Sequence, residues 1–148
     1  MTALNLPPFP HQLQQQAGKT TIFDAIRKKY VVLTPEEWVR QHFIHYLISH
    51  LRYPRPLIKV EAGLHYNKML RRSDVVVYRR DGVPFMIVEC KAPAVPLSPA
   101  VFEQVAVYNQ PLQAEYITVT NGLDHYCCRM DYATNSYTFM KALPPYGA

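Results

Sequence analysis

Cysteine is scarce in this 148-residue chain: it has three, an odd number, and Cys127 and Cys128 are adjacent, where they are poorly placed to bridge each other. That argues against a secreted disulfide framework, and the sparse spacing to Cys90 is not that of a zinc site. Long hydrophobic runs are missing as well. No stretch approaches the roughly eighteen apolar residues that a membrane span requires. The opening Met1-Thr2-Ala3-Leu4-Asn5-Leu6-Pro7-Pro8 lacks a basic region followed by an apolar one. A soluble cytoplasmic protein with no membrane partner is the expectation. There is no internal repeat, and the length suits one domain without room for a second catalytic module.

Several chemistries are absent too. Gly18-Lys19-Thr20 looks like the end of a phosphate-binding loop, but the position of its first required glycine holds Leu13, and no strand is expected before it. ATP hydrolysis is therefore set aside. His42, His45 and His50 lack the spacing of a zinc protease helix, and no Ser-His-Asp arrangement is supported by spacing.

What is present divides into an arm and a domain. Residues 1–20 carry three prolines and Gln14-Gln15-Gln16 without periodicity, which reads as an extended or partly ordered arm ahead of a single domain over 21–148. Thr34 suits a helix N-cap, with Pro35 at the first helical position and Glu37 three residues after the cap. The helix is expected to run to about Leu51, burying Trp38, Ile44, Leu47, Ile48 and Leu51. Strands are expected at Leu57–His65, Asp74–Tyr78 and Phe85–Lys91. A second helix then starts at Ser98-Pro99, carries Gln104 and Tyr108, and ends near Pro111. Tyr116–Thr120, Tyr126–Met130 and Tyr137–Met140 read as further strands, giving an α/β domain with a mixed central sheet.

Asp74, Glu89 and Lys91 carry the most information. Two apolar strands, Val75-Val76-Val77-Tyr78 and Phe85-Met86-Ile87-Val88, each have an acid at one end, where a core does not ask for one. Asp81-Gly82 between them signals a hairpin, which brings Asp74 toward the Glu89 end. Alternation places Glu89 and Lys91 on one face and Cys90 on the other. Two carboxylates converging beside an ammonium can hold a hard divalent cation and a water next to a phosphodiester. Plainer readings stand beside this one. Asp74 equally suits a strand cap, Glu89 a pair with Lys91 or an arginine, Glu37 a capping box, and Gln104 and Tyr108 surface packing. Cys90 reads first as a buried strand residue, and Glu61 as an exposed strand position or a site neighbour. Nine of the sixteen Lys and Arg residues lie between Arg52 and Lys91, against four acids, which reads either as a positive rim around the acids that suits a polyanion or, more plainly, as Arg79 and Arg80 solvating a hairpin tip.

Ser73-Asp74 with Glu89-Cys90-Lys91 resembles the PD-(D/E)xK nuclease superfamily, with serine where its name has proline. The wider run strengthens the likeness: Thr34-Pro35-Glu36-Glu37-Trp38-Val39-Arg40-Gln41, Tyr53-Pro54, Val60-Glu61, Arg72-Ser73-Asp74-Val75-Val76-Val77 and Val88-Glu89-Cys90-Lys91-Ala92-Pro93. Together these resemble stand-alone relatives of the N-terminal nuclease domain of type I restriction enzyme R subunits. Gln104-Val105-Ala106-Val107-Tyr108 is similar to the QxxxY element of RecB-like branches, and Thr118-Val119-Thr120-Asn121-Gly122 extends the match, which spans about residues 22–122. The resemblance implies a restriction-endonuclease-like αβββαβ core, its mixed sheet flanked by helices and extended by extra C-terminal strands. It implies Mg²⁺, with Mn²⁺ as a substitute, held by Asp74, Glu89 and the Cys90 carbonyl. Lys91 then orients a water, Glu37 is a fourth acid, and Arg71, Arg72, Gln104 and Tyr108 contact nucleic acid. The implied activity is metal-dependent hydrolysis of DNA, with motor and specificity functions supplied by other proteins. The alternatives are a catalytically dormant nucleic-acid-binding or assembly module of the same fold, and a structural domain whose acids pair with Arg71 or Arg72.

Overall fold

Helix α1 (Pro35–Ser49) begins where its capping residues place it: Thr34 is extended, its hydroxyl accepts the Glu37 amide at 3.0 Å, and Pro35 follows. The computed structural model describes residues 1–60, 65–67, 70–71 and 74–147, with backbone alone over 65–67 and 70–71. Ahead of α1 lie β1 (Leu13–Gln16), β2 (Lys19–Asp24) and β3 (Lys29–Val32), an antiparallel three-stranded sheet. After it come β4 (Ile58–Val60), β5 (His65–Asn67), β6 (Leu70–Arg71), β7 (Val75–Tyr78), β8 (Pro84–Cys90), α2 (Pro99–Asn109), β9 (Tyr116–Thr120), β10 (His125–Asp131) and β11 (Ser136–Met140).

The main sheet has six strands in the order β11-β10-β9-β8-β7-β4. The β8–β9 pair is parallel and the others are antiparallel. A parallel neighbour needs a long crossover, and α2 supplies it. The order α1, β4, β7, β8, α2, β9 is the expected αβββαβ core, and β10 and β11 extend it.

Strand alternation builds the two faces. Val75, Val77, Met86, Val88 and Cys90 pack with Val39, Phe43, Ile44 and Leu47 of α1. Val76, Ile87, Ile117 and Val119 pack with Phe102 and Val105 of α2. The sheet is thus covered on both sides, which explains why β7 and β8 are nearly continuous apolar runs. All three cysteines are buried thiols without disulfides.

The hairpin between β7 and β8 forms as expected. Gly82 takes a positive φ of 88°, its amide donates to the Arg79 carbonyl at 2.9 Å, and the Arg79 amide donates to Val83 at 2.7 Å. This puts Arg79 and Arg80 at the end of the hairpin remote from Asp74 and Glu89. They therefore solvate the hairpin tip, the plainer of the two readings of the charge pattern, and do not belong to a basic rim around those acids.

Other local expectations also shift. The buried stripe of α1 is Val39, Phe43, Ile44 and Leu47, whereas Trp38, Ile48 and Leu51 are only half-buried. Leu57 ends a short 3₁₀ turn, Arg55–Leu57, instead of starting a strand. Ile58–Val60 of the expected strand form β4 and His65 falls in β5, while residues 61–64, with Glu61, lie outside the described residues. The arm expected over residues 1–20 contains β1 and the start of β2, which no periodicity announced because the strand Leu13–Gln16 is exposed throughout. Its first residues lie across α1 and the loop after β9: the Trp38 indole donates to the Thr2 carbonyl at 2.9 Å, the Asn5 amide donates to Gly122 at 2.8 Å, and Phe9 stacks on His45 at 4.1 Å.

Candidate active site

The register of the hairpin sets the acids side by side. Val75 pairs with Val88, and Asp74 and Glu89 each stand one residue beyond that pair at the same end of β7 and β8. Asp74 is 6% exposed. Its Oδ2 accepts the Cys90 amide at 2.6 Å, and its Oδ1 accepts from Arg40 Nη2 at 3.1 Å. The first bond has a simple origin. Amides alternate between the two edges of a strand, and the next one, that of Lys91, donates to Thr120 of β9 at 2.8 Å. The Cys90 amide therefore faces β7, which has already ended, and the Asp74 carboxylate takes the place of a backbone acceptor.

Glu89 alternates with Val88 and Cys90, both in the α1-side core, so it belongs to the other face. Lys91 is there with it, its Nζ 3.6 Å from Glu89 Oε1. Cys90 is fully buried, and burial, reinforced by the Asp74 charge, pushes its thiol well above the ordinary range. That suits a core residue and not a nucleophile. Its carbonyl is the atom relevant to a metal.

Glu37 is not the return half of a capping box. Its backbone amide is capped by Thr34, but its carboxylate points inward and accepts from Arg27 Nη2 at 3.0 Å, Arg40 Nη1 at 2.7 Å and Gln41 Nε2 at 2.9 Å. Asp24, fully buried, continues the network: Oδ2 accepts from Arg27 Nε at 2.6 Å and Gln41 Nε2 at 3.0 Å, while Oδ1 accepts the Ile26 and Arg27 amides at 2.8 Å. Burial acts to raise the Asp24 pKa, but the bonds from Arg27 and Gln41 outweigh it and leave it lowered. Arg40 is shifted upward, since the charges of Asp74 and Glu37 overcome its own desolvation. A continuous polar chain, Asp24–Arg27–Glu37–Arg40–Asp74, thus runs from the turn after β2 through α1 to the end of β7. Sequence reading singled out only two of its three acids, Glu37 and Asp74. The available signal for Arg40 and Gln41 was their place three and four residues after Glu37, on the same helix face.

Gln104 and Tyr108 bond to each other, Nε2 to Oη at 3.3 Å, on the outer surface of α2, the helix that covers the Glu89 face. Arg72 lies outside the described residues, and only the backbone of Arg71, in β6, is described. Among the described residues no three His, Cys, Asp or Glu side chains converge as a metal-ligand set. The donor chemistry nevertheless fits Mg²⁺ or Mn²⁺, which commonly take one or two carboxylates and complete their shell with water. Asp74, Glu89 and the Cys90 carbonyl are hard oxygens that the strand register places at one end of the hairpin.

Residues 35–144 match the family described as type I restriction enzyme R protein N terminus. Among solved structures, the chain is similar to a fragment described as the HsdR subunit of a type I restriction enzyme from Vibrio vulnificus YJ016. The two share 23% identity at a TM-score of 0.38, over 59% of this chain and 16% of that one. The chain thus spans only a small part of that chain's length. No curated protein matches the sequence.

Proposed function

Because this chain belongs to the type I restriction enzyme R protein N-terminal family, we propose that it is a metal-dependent nuclease domain that hydrolyses DNA phosphodiester bonds. The observation that carries the reading is the placement of Asp74 and Glu89 at one end of the β7–β8 hairpin with Lys91 beside Glu89. Asp74, Glu89 and the Cys90 carbonyl would hold the ion. When bound, a divalent cation polarises the scissile phosphate and lowers the pKa of a coordinated water. The Lys91 ammonium orients that water and offsets charge that develops on the phosphate oxygens. Gln104 and Tyr108 offer an exposed polar and aromatic pair for the nucleic acid, and Arg71 and Arg72 supply phosphate contacts. Motor and specificity functions are assigned to other parts of a restriction system.

A second reading is favoured by one specific bond. Arg40 already neutralises Asp74, which would suit a dormant module that binds nucleic acid without cutting it. Purified chain incubated with duplex, single-stranded and branched DNA, and with RNA, in Mg²⁺, Mn²⁺ or Ca²⁺ separates the two. The nuclease reading requires cleavage in Mg²⁺ or Mn²⁺ that Asp74→Asn abolishes, and binding without cleavage in Ca²⁺. Binding that weakens steeply with salt, with no cleavage in any metal, establishes the dormant module instead.

A further inference from the structure

Arg40 is 4% exposed and lies between two of the candidate acids. Nη1 donates to Glu37 Oε1 at 2.7 Å, Nη2 donates to Asp74 Oδ1 at 3.1 Å, and Nη2 is 3.5 Å from Glu36 Oε1. Its Nε is buried without a hydrogen-bond partner among the described residues. A buried ion pair repays its desolvation only when the geometry is complete, and apolar residues of similar volume often do as well for stability. An orphaned Nε makes this arginine a poor device for stability alone. What it supplies, and an apolar residue would not, is a positive charge in contact with Asp74.

That charge is seated independently of Asp74. Glu37 grips Nη1 and is itself gripped by Arg27 and Gln41, and Asp24 holds both of those in turn. The guanidinium therefore stays close to the end of β7 whether or not Asp74 has another partner. Any cation approaching Asp74 Oδ1 must displace Nη2 or bind a remaining lone pair against its repulsion.

Resting on the metal-site reading above, we propose that Arg40 is a resident counter-cation that competes with a divalent metal for Asp74 and holds the metal affinity of the site low. It is a positioning residue: it acts through Asp74, not on the scissile phosphate. Its bridge to Glu37 also couples metal binding to the anchoring of α1.

The test is titration of the full chain with Mn²⁺, followed by the paramagnetic signal of the free ion. Arg40→Gln and Arg40→Met should bind Mn²⁺ at least about tenfold more tightly than wild type, because a charge in contact with the ligand is gone. Arg40→Lys should stay within about threefold of wild type, because the charge remains. Adding Asp74→Asn to Arg40→Gln should remove the gain. A cooperative melt establishes that each variant is folded, and Arg40→Met serves if the glutamine variant is not. Equal or weaker Mn²⁺ binding in folded Arg40→Gln and Arg40→Met, or a gain matched by Arg40→Lys, overturns the proposal. Failure of the metal-site reading itself has a different signature: Mn²⁺ then binds no variant, or binds all of them regardless of Asp74, and the proposal falls with it.

Discussion

Asp74 accepts the backbone amide of Cys90 through Oδ2 at 2.6 Å, so the carboxylate that heads the candidate metal site also terminates the β7–β8 ladder. One residue thus carries a structural and a chemical duty, and substitutions separate them. Asp74→Asn keeps an acceptor for the Cys90 amide, whereas Asp74→Ala leaves that amide buried without its acceptor and Arg40 Nη2 with Glu36 at 3.5 Å in place of Asp74. Asp74→Ala should cost about 1.5–3 kcal/mol in urea unfolding, and Asp74→Asn distinctly less. Both should abolish Mn²⁺ binding. Equal stability losses would mean that the Cys90 bond is not what the charge is kept for.

Lys91 lies beside Glu89 rather than on the polar chain that holds Asp74. Lys91→Ala should lower cleavage by about 10² or more while leaving DNA affinity in Ca²⁺ nearly unchanged, as expected for a group that acts on developing charge. Parallel losses in binding and cutting would make it a ground-state phosphate contact.

Gly122 has a positive φ of 85°, and a Cβ there would lie 2.8 Å from Leu4 Cδ2 and 3.1 Å from Val39 Cγ2. Gly122→Ala should destabilise the fold by more than about 1 kcal/mol, since backbone strain adds to the collision. Leu4→Ala in the same background should recover part of that loss. A double-mutant cycle measured by chemical denaturation gives the coupling, and no coupling would show that the N-terminal segment does not lie against this loop in solution.

His42 and His45 titrate below the ordinary histidine value of 6.5. Burial is the main cause for each; the Trp38 carbonyl opposes it at His42 and Asp24 at His45, while the charges of His11 and Arg55 add to it at His42 and His45 respectively. Depressed histidine values mean that the unfolded chain binds more protons than the folded one. Stability is then undiminished above about pH 6.5, falls as the pH drops below it, and levels off under the folded-state values. Urea midpoints between pH 8 and 5 should show this loss, and His42→Phe should flatten it. The lowered Asp24 acts in the same direction but in a separate window, below its usual 3.8.

The sequence by itself determined the parts of the protein that rest on local rules. Thr34 and Pro35 start α1 because an extended hydroxyl residue and a preset φ suit a helix entry, and Gly82 turns the hairpin because its backbone tolerates a positive φ. The apolar runs of β7 and β8 required a sheet covered on both faces, and alternation put Cys90 opposite Glu89 and Lys91. The tertiary structure decided which charges meet. Arg40 and Gln41 show locally only that they share a helix face with Glu37; nothing in the sequence points Arg40 to Asp74, Gln41 to Asp24 or Arg27 to Glu37, since those contacts depend on distance in space between residues far apart along the chain. Arg79 and Arg80 were legible by contrast: they adjoin the Asp81-Gly82 turn, and four strand residues at about 3.3 Å each separate them from Asp74. The exposed first strand was as illegible as those contacts, because without a buried face it has no periodicity, and only its pairing with β2 fixes its conformation.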